Sequence, residues 1–426
     1  MILLYRVLTI LIYPFLIIFT YYRKTIKKED PTRFKEKILS SHFKVKRNES
    51  SKLIWFHAAS IGEFKSIVPI IENLLRVNKD FEILVTTTTL SSGNLASIEF
   101  KKFDKVYHRY FPFDVVFLVK NFLKLWKPNF IFLVDSEIWP NLILVAKQNK
   151  IPLALINARL TSKTFQKWMK FPETAKKIFN AFDLCLSSNQ ETKNYLEKLE
   201  ARNINFYGNI KLVNKIDEHN IQNSNGKFLQ KKRFWVAAST HKGEDLFCMR
   251  VHQKIKEKYD DIITIIIPRH INNARDISRI SKGLNLKTQL LERNQMILEN
   301  KEIIIVNSFG VLQDYFKYAK SVFIGKSVLK KFKAEGGQNP IDAANLNCKI
   351  YHGPYVYNFE EIYHMLKQIN ITKKIATYEE LSENLVKDLT NPLKAKTNTS
   401  DYLKNLGQKI LKDTMKSMNI LLNDVK

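Results

Sequence analysis

The chain has 426 residues, more than one ordinary hydrophobic core supports, and its 69 Lys and Arg against 41 Asp and Glu give a net charge of +28. This excess favours anionic partners such as phosphorylated substrates or anionic lipid. A nucleic-acid partner is not expected, because the sequence has no compact Arg-rich tract, zinc-finger spacing or aromatic RNA-binding signature. The cysteines, Cys185, Cys248 and Cys348, are far apart and odd in number, which argues against a disulfide framework or a structural zinc site.

The first segment is strongly apolar. Val7–Tyr22 contains Pro14 and is marginal in length for a membrane span, which needs about 20 residues. A signal peptide fits poorly, because no small-residue cleavage site follows. Instead there is a basic cluster of the kind found on the cytoplasmic face, formed by Arg23, Lys24, Lys27 and Lys28. Residues 1–28 are therefore predicted to be an uncleaved anchor that either spans the bilayer or lies in its interface.

Short apolar runs alternate with helical patterns in the rest of the chain, as in βαβ units with buried parallel strands. In the first half the predicted strands are Leu53–His57, Glu82–Thr87, Phe130–Asp135, Pro152–Asn157, Leu184–Ser188 and Asn205–Gly208. In the second half they are Phe234–Ser239, Ile262–Pro268, Glu302–Asn307, Ser321–Gly325 and Lys349–Gly353. The pattern predicts an α/β fold of two doubly wound, Rossmann-like domains with a cleft between them, in which ligands bind at the carboxyl ends of the strands.

The polar stretch 214–232 is interpreted as a linker. The expected organisation is an anchor (1–28), a first domain (29–213), the linker, a second domain (233–400) and a C-terminal helix (401–426). Neither domain carries G-x-G-x-x-G, which disfavours a standard dinucleotide site. Gly325-Lys326-Ser327 looks like the end of a P-loop, but Lys320 stands where the first glycine would be, so a Walker A motif is excluded.

Charged side chains follow the strands of the first half. Ser60-x-x-Glu63 matches a capping box, and this structural interpretation competes with that of a carboxylate base on a glycine turn. Asp135 and Glu137 are either ordinary helix-start acids or carboxylates that act on a reacting group. Lys211 lies just past a glycine turn, where it can neutralise developing charge, although most lysines simply face water.

The second half is richer in groups that suit a phosphate. Ser239–Glu244 combines hydroxyls, His and Lys in a candidate phosphate cradle, and Pro268-Arg269-His270 offers further donors. Asn307–Gly310 is expected to open a helix. In Gly336–Asp342, Asn339 is expected to be an N-cap and Pro340 the first helical residue, with Asp342 free for sugar hydroxyls. The alternative for each loop is that its polar groups only satisfy the backbone.

Acids on the first sheet and phosphate-type groups on the second suit a nucleotide-sugar transferase of the two-Rossmann (GT-B) type. At this point the sequence resembles a known family, the 3-deoxy-D-manno-octulosonic acid (Kdo) transferases. The resemblance extends from the anchor to about Leu366 and rests on motifs that occur in this order: HAASIGE, DSEIWPN, NARL, GNIK, STHKGE, PRH, GGQNPID and GPYVYNF.

The resemblance implies an activity. Members of this family move Kdo from CMP-Kdo to the lipid A precursor, a lipid IVA-type tetraacyldisaccharide bisphosphate, in lipopolysaccharide synthesis. They work at the cytoplasmic face of the bacterial inner membrane, with inversion and without a catalytic metal or other cofactor. CMP-Kdo, the lipid A precursor and anionic inner-membrane lipid are thus the expected partners.

The resemblance also implies residue roles. Glu63 falls on the family's general base, and Asp135 and Lys211 fall on the residues that stabilise the transition state; Glu137 is a further candidate for the role of Asp135. The implied CMP-binding residues are Pro268, Arg269, Phe309, Gly310, Val311, Asn339, Pro340, Ile341 and Asp342, and His270 is added as a neighbouring donor.

Six positions depart from the family pattern, two of which are Ile341 for Leu and Lys326 for a second glycine. Asp135 stands where Glu is usual, and Gln338 and Asp342 stand for His and Glu. Val311 replaces an acid, so it offers CMP only its backbone. Two other functions stay open: a related GT-B transferase or epimerase that uses another nucleotide sugar, and a non-enzymatic basic protein tethered to a membrane.

Overall fold

The computed structural model describes residues 1–43, 47–48, 50–213, 216, 218, 221–391 and 399–423. The chain divides into two compact units, one of Met1–Asn214 with Leu406–Lys426 and one of Lys215–Asn405. Each unit is built on a seven-stranded sheet whose strand pairs are all parallel. The predicted class, two doubly wound parallel-sheet domains, is confirmed.

The strands are numbered in chain order. The first sheet contains β1 (Lys52–His57), β2 (Phe81–Thr87), β3 (Val106–Tyr110), β4 (Phe130–Val134), β5 (Leu153–Ala158), β6 (Leu184–Ser187) and β7 (Ile204–Phe206). The second contains β8 (Phe234–Thr240), β9 (Ile263–Pro268), β10 (Thr288–Leu291), β11 (Ile303–Val306), β12 (Ser321–Ile324), β13 (Lys349–His352) and β14 (Thr372–Lys374).

The helices are numbered in the same way. The first unit has α1 (Ile2–Thr25), α2 (Ile61–Val77), α3 (Leu90–Glu99), α4 (Val116–Trp126), α5 (Pro140–Gln148), α6 (Ser162–Met169), α7 (Pro172–Phe179) and α8 (Gln190–Lys198). After these come α9 (Gly226–Leu229), α10 (Glu244–Lys256), α11 (Ala274–Gly283), α12 (Leu312–Phe316), α13 (Ile341–Asn345), α14 (Glu360–Gln368), α15 (Tyr378–Leu389) and α16 (Thr399–Asn423).

The first sheet has the strand order β3-β2-β1-β4-β5-β6-β7. The chain therefore reverses direction across the sheet between β1 and β4, which are hydrogen-bonded neighbours with His57 opposite Leu133. In open parallel sheets this switch point leaves a crevice at the carboxyl ends of the two strands. The loops that follow β1 and β4 lie at this crevice.

The central strands are apolar on both faces because helices cover both sides of the sheet. On one face, Trp55 packs with Phe122 at a ring distance of 4.8 Å, and Phe122 contacts Trp126 in turn. Asp114 ties the helices to this core, since its carboxylate accepts hydrogen bonds from the backbone N–H groups of Asn141 and Leu142 at the start of α5. Burial nevertheless raises the pKa of Asp114 to about 6.

The second sheet has the strand order β10-β11-β9-β8-β12-β13-β14, with its switch point between β8 and β12. The turns after these strands approach so closely that Gly325 has no room for a side chain. A Cβ there would lie 2.7 Å from the carbonyl oxygen of Ser239. The loops predicted to hold phosphate are therefore at the corresponding crevice of the second unit.

The eleven predicted strands all occur, but three further strands were not predicted from the sequence. They are β3, β10 and β14, and each lies at the edge of its sheet. Of the predicted linker, Asn214, Lys215, Asp217, His219 and Asn220 lie outside the described residues, and α9 falls within the remainder. The predicted C-terminal helix is present as α16, with Asp424, Val425 and Lys426 outside the described residues.

Helix α1 lies against the first unit over most of its length. Its partly buried or buried positions recur with helical spacing, and they include polar residues that bond to the domain. Tyr5 donates its hydroxyl to Asp114 at 2.9 Å, Tyr13 donates to the carbonyl of Ile38, and Arg23 bonds to Glu29. The opposite face is exposed and apolar, with Leu3, Leu4, Val7, Leu8, Leu11, Phe15, Ile18, Phe19 and Tyr22.

Candidate functional site

Glu63 lies in the first turn of α2, directly after the turn that follows β1. The Ser60 hydroxyl caps this helix by accepting from the backbone N–H of Glu63, as the capping-box pattern predicts. The Glu63 carboxylate accepts from the backbone N–H of Ala59 at 2.7 Å and from the Ser60 hydroxyl at 2.7 Å. In a standard capping box the carboxylate would accept from the N–H of Ser60, whereas here it accepts from the N–H of Ala59, one residue earlier.

The environment of Glu63 favours a stronger base than an ordinary glutamate. Burial raises the pKa of Glu63, the neighbouring charges of Asp135 and Glu137 raise it further, and the Ser60 hydroxyl and Lys211 act in the opposite sense. The side chain is only half-buried. Each carboxylate oxygen can accept more than one hydrogen bond, so the two bonds that cap the helix leave acceptor capacity for a substrate hydroxyl.

Asp135 directly follows β4 and is paired with Lys211. The Lys211 ammonium lies 2.7 Å from Asp135 Oδ2, and both side chains are largely buried. Asp135 has a φ of 62°, in the left-handed region, which Asp tolerates better than most residues because its short side chain bonds locally.

Lys211 is positioned by a second turn at the same edge of the sheet. It follows Gly208, which has a φ of 116°, and the short 3-10 helix Ile210–Val213 begins with a backbone N–H bonded to the side-chain oxygen of Asn157 at 2.9 Å. Asn157 comes from the end of β5. Strand ends that are far apart in sequence thus bring Lys211 to Asp135.

Glu137 occupies the same crevice. Its Oε2 accepts from Trp139 Nε1 at 2.8 Å and lies 3.1 Å from Nε2 of His57, the last residue of β1. The structure therefore brings together all four residues predicted for the first half: Glu63, Asp135, Glu137 and Lys211. His57 and Trp139 belong to the same group and were not predicted, although both lie inside the motifs HAASIGE and DSEIWPN.

In the second unit, the expected phosphate cradle is already filled by a side chain. Glu244, the first residue of α10, is fully buried. Its two carboxylate oxygens accept from four backbone N–H groups, those of His241, Lys326, Ser327 and Val328, at 2.6–3.2 Å. In the Ser239–Glu244 loop, the Glu244 carboxylate therefore satisfies backbone N–H groups, which is the alternative to a phosphate site. The P-loop-like turn thus directs the amides of residues 326–328 at Glu244, and the exclusion of a Walker A motif agrees with this.

The predicted donor residues lie at the ends of β9, β11 and β12. Arg269 and His270 follow β9 and are exposed, whereas Pro268 is buried at its end. Phe309 is exposed, Gly310 has a φ of 76°, and Val311 is buried directly before α12. The helix thus opens at Leu312, two residues after Gly310.

The predicted start of α13 was wrong by one residue. The helix begins at Ile341 with Pro340 at the N-cap position. The Asn339 side chain still accepts from the N–H of Ile341, two residues on, as expected of a capping residue. Asp342 is not entirely free, since Gln313 of α12 donates to its Oδ2 at 3.1 Å. This bond places the Phe309–Val311 and Asn339–Asp342 segments next to each other.

Among solved structures, the fold is similar to that of a UDP-GlcNAc 2-epimerase from Neisseria meningitidis bound to UDP-GlcNAc. The TM-score is 0.55 at 11% identity, over 87% of this chain and the whole of that one. At this identity the likeness shows the fold alone. Two Rossmann-like units define the class of the fold, which is GT-B-like.

The sequence resembles that of a known family. Residues 32–214 match the family model of the 3-deoxy-D-manno-octulosonic acid transferases. The transferase of that name from Rickettsia bellii is 29% identical over 98% of this chain and 96% of its own length. The one from Haemophilus influenzae is 27% identical over 88% and 86%. The chain is therefore similar to Kdo transferases over nearly its whole length, and these relatives support a glycosyltransferase.

We expect Glu244→Ala to destabilise the second unit. The substitution leaves four N–H groups without their acceptor, which costs about 3–5 kcal/mol of unfolding free energy. Chemical denaturation measures the loss, and added formate, which can re-enter the space as a carboxylate, restores part of it.

The matched control is Glu257→Ala, because Glu257 is an exposed residue near the end of the same helix. This change alters the unfolding free energy by less than about 0.5 kcal/mol. Equal stabilities for the two variants would show that the four hydrogen bonds do not hold the turns.

Proposed function

We propose that the protein transfers Kdo from CMP-Kdo to the lipid A precursor during lipopolysaccharide synthesis, with inversion. The observation that carries the proposal is the group of three carboxylates and one lysine at the switch point of the first sheet. All four residues lie inside the region that matches the Kdo transferase model. The names of the relatives identify the sugar as Kdo. The loops at the end of the first sheet contain the acidic and basic groups that the transfer of a sugar needs.

In the proposed mechanism Glu63 is the general base. It takes the proton of the acceptor hydroxyl, whose oxygen attacks the anomeric carbon of Kdo while the bond to CMP breaks. Positioned bases of this kind contribute about 10²–10⁴-fold to a rate. The raised pKa of Glu63 suits the role, because a carboxylate with a higher pKa accepts a proton more readily.

Lys211 and Asp135 are proposed to stabilise the transition state as a pair. A lysine held 2.7 Å from a carboxylate is fixed in place before the substrate arrives, so it needs little rearrangement when charge develops. Glu137 adds a third carboxylate beside the sugar.

CMP is proposed to bind the second unit through Pro268, Arg269, His270 and the two segments joined by the Gln313–Asp342 bond. Arg269 is exposed and can present its planar fork to the leaving phosphate. Since Glu244 fills the turn after β8, the phosphate is expected at Arg269 and not at that turn. We propose that the reaction needs no metal, with the guanidinium of Arg269 offsetting the charge of the leaving phosphate.

We also propose that the protein lies on the cytoplasmic face of the bacterial inner membrane, with α1 in the plane of the interface. Helix α1 is long and apolar enough to cross a membrane by length and composition. Crossing would break the bonds from Tyr5 to Asp114 and from Tyr13 to Ile38, which join the body of the helix to the domain. Its exposed apolar face suits burial among lipid acyl chains, and the adjacent lysines suit anionic headgroups.

Glu63→Gln is expected to lower kcat for transfer by at least about 100-fold while CMP binding is kept. Glutamine can still accept from the Ala59 N–H, so the cap of α2 is largely preserved. Product formation is measured by mass from CMP-Kdo and the lipid A precursor, and CMP affinity by calorimetry.

Glu72→Gln is the control for this prediction, because Glu72 is an exposed acid of the same helix. Normal turnover by Glu63→Gln would remove Glu63 as the base. In a parallel assay, turnover with UDP-sugars and none with CMP-Kdo would favour the alternative of another nucleotide-sugar enzyme.

The pH dependence of kcat/KM tests the electrostatics. Because burial, Asp135 and Glu137 raise the pKa of Glu63, activity is expected to fall on the acid side at a pH above the range of an ordinary glutamate. In Asp135→Asn, the residual activity should fall at a lower pH than in the wild type. The substitution removes a like charge and leaves the positive charge of Lys211 unopposed, and both changes lower the pKa of Glu63. If kcat/KM of Asp135→Asn fell on the acid side at the same pH as in the wild type, or at a higher pH, this coupling would be contradicted.

Spin labels at Leu4→Cys, Leu11→Cys and Tyr22→Cys on the exposed face of α1 test its orientation. An in-plane helix places the three labels at similar depths in a bilayer, whereas a spanning helix places the middle label deepest and the outer two at opposite surfaces. Depth is read from relaxation by oxygen and by a polar nickel complex. The three native cysteines are buried, which limits background labelling. A deep maximum at position 11 would show that the helix spans.

A further inference from the structure

His57 is a fully buried residue that contacts both the core and the crevice of the first sheet. Its ring stacks on Phe111, with centroids 3.9 Å apart and planes at 23°, so the ring plane is fixed by packing. Nδ1 faces Thr86 on β2, and Nε2 faces Glu137 beyond β4. Neither Glu63 nor Lys211 is hydrogen-bonded to it.

The hydrogen-bonding partners of His57 determine where its proton lies. Glu137 as a carboxylate can only accept, so a bond at 3.1 Å requires a proton on Nε2. At the other nitrogen, the Thr86 hydroxyl lies at 2.9 Å and the Thr86 backbone carbonyl at 3.2 Å, and the hydroxyl itself accepts from Trp55 Nε1. In the neutral ring with its proton on Nε2, the hydroxyl can donate to Nδ1. In the charged ring, Nδ1 can donate to the carbonyl, and Nε2 keeps its proton in both forms.

The same bonds leave one oxygen of Glu137 available. His57 and Trp139 both bond to Oε2, and within the described chain Oε1 has no hydrogen-bond partner. Two ring N–H groups on rigid aromatic side chains hold the carboxylate in one orientation. The side chain keeps some exposure, at 16%. A fixed carboxylate with one open oxygen is suited to accept a sugar hydroxyl.

We propose that His57 is a positioning residue that holds Glu137 by a proton on Nε2, so that Glu137 Oε1 accepts a hydroxyl of the acceptor sugar. The proposal rests on the transferase function proposed above. In this arrangement Glu137 orients the acceptor for Glu63, and His57 acts only through Glu137. The protonated Nε2 is required whether the imidazole is neutral or charged, because Glu137 is the partner in both forms.

The first test does not depend on turnover. In the full-length protein labelled with ¹⁵N-histidine, the side-chain resonances of His57, assigned by their loss in His57→Gln, should show a protonated Nε2 at neutral pH. A spectrum in which only Nδ1 carries the proton would overturn the proposal even if the protein transfers Kdo. Absence of turnover with CMP-Kdo would remove the proposed function and leave this result unaffected.

The second test is a double-mutant cycle on acceptor kinetics. Glu137→Gln is expected to lower kcat/KM for the acceptor by about 10- to 100-fold, the size expected for a lost hydrogen bond to a charged group. His57→Leu is expected to cause a similar loss, and the double variant no more than Glu137→Gln alone. His57→Gln, whose amide can still donate to Glu137, should recover most of the activity.

Thermal unfolding with the number of transitions and the midpoints of the wild type, followed by circular dichroism, shows that the first unit still folds in every variant. Additive losses in the double variant, or equal defects in His57→Leu and His57→Gln, would mean that His57 supports the fold and does not act through Glu137. Either result would overturn the proposal.

Discussion

The pairing of β1 with β4 is the contact on which the candidate site depends. In sequence, β2 and β3 come between β1 and β4. In the sheet, β2 and β3 lie on one side of β1, and β4 lies on the other side. Because the pair is parallel, the carboxyl ends of both strands face the same edge. His57 and Asp135 are thereby brought together from positions far apart in sequence, and α2 begins beside them with Glu63. A change of strand order would separate the carboxylates without altering any of them.

The two sheets use an acid at the start of a helix in different ways. In each unit the helix that follows the first strand of the switch point, α2 or α10, has a glutamate in its first turn. Glu244 is fully buried and its oxygens accept from four backbone N–H groups, so it holds two turns together and has little capacity left for a ligand. Glu63 accepts from one N–H and one hydroxyl, is half-exposed and lies near two further acids. The number of donors around each carboxylate, and not the local motif, separates a structural acid from a candidate base.

Much of the fold could be predicted from the sequence because the central strands are apolar on both faces. Ile54, Phe132 and Ile265 belong to such strands and are fully buried. A short continuous run of apolar residues is not expected on a surface that faces water, so these runs predict buried strands. The three strands missed, β3, β10 and β14, have only one neighbour each and carry polar residues. Val106–Tyr110 and Thr372–Lys374 read VYHRY and TKK, which local pattern does not distinguish from loop.

For the candidate site, the loops could be predicted but not their bonding. Strand ends identify Glu63, Asp135 and Lys211, because parallel strands send their carboxyl ends to one edge. Which loop residues satisfy the backbone depends on approaches between distant segments, as for Glu244 with Lys326, and such approaches leave no local signal. The bond from His57 to Glu137 joins positions 80 residues apart. At α1, composition does not reveal that Tyr5, Tyr13 and Arg23 bond to the protein while most of the larger apolar residues face outward. This helix has a mixed face toward its own domain, where Ile2 and Leu16 pack beside polar residues, and an apolar face toward its surroundings, the reverse of an ordinary surface helix. Both faces of α1 are satisfied together when the domain covers one and a lipid phase covers the other.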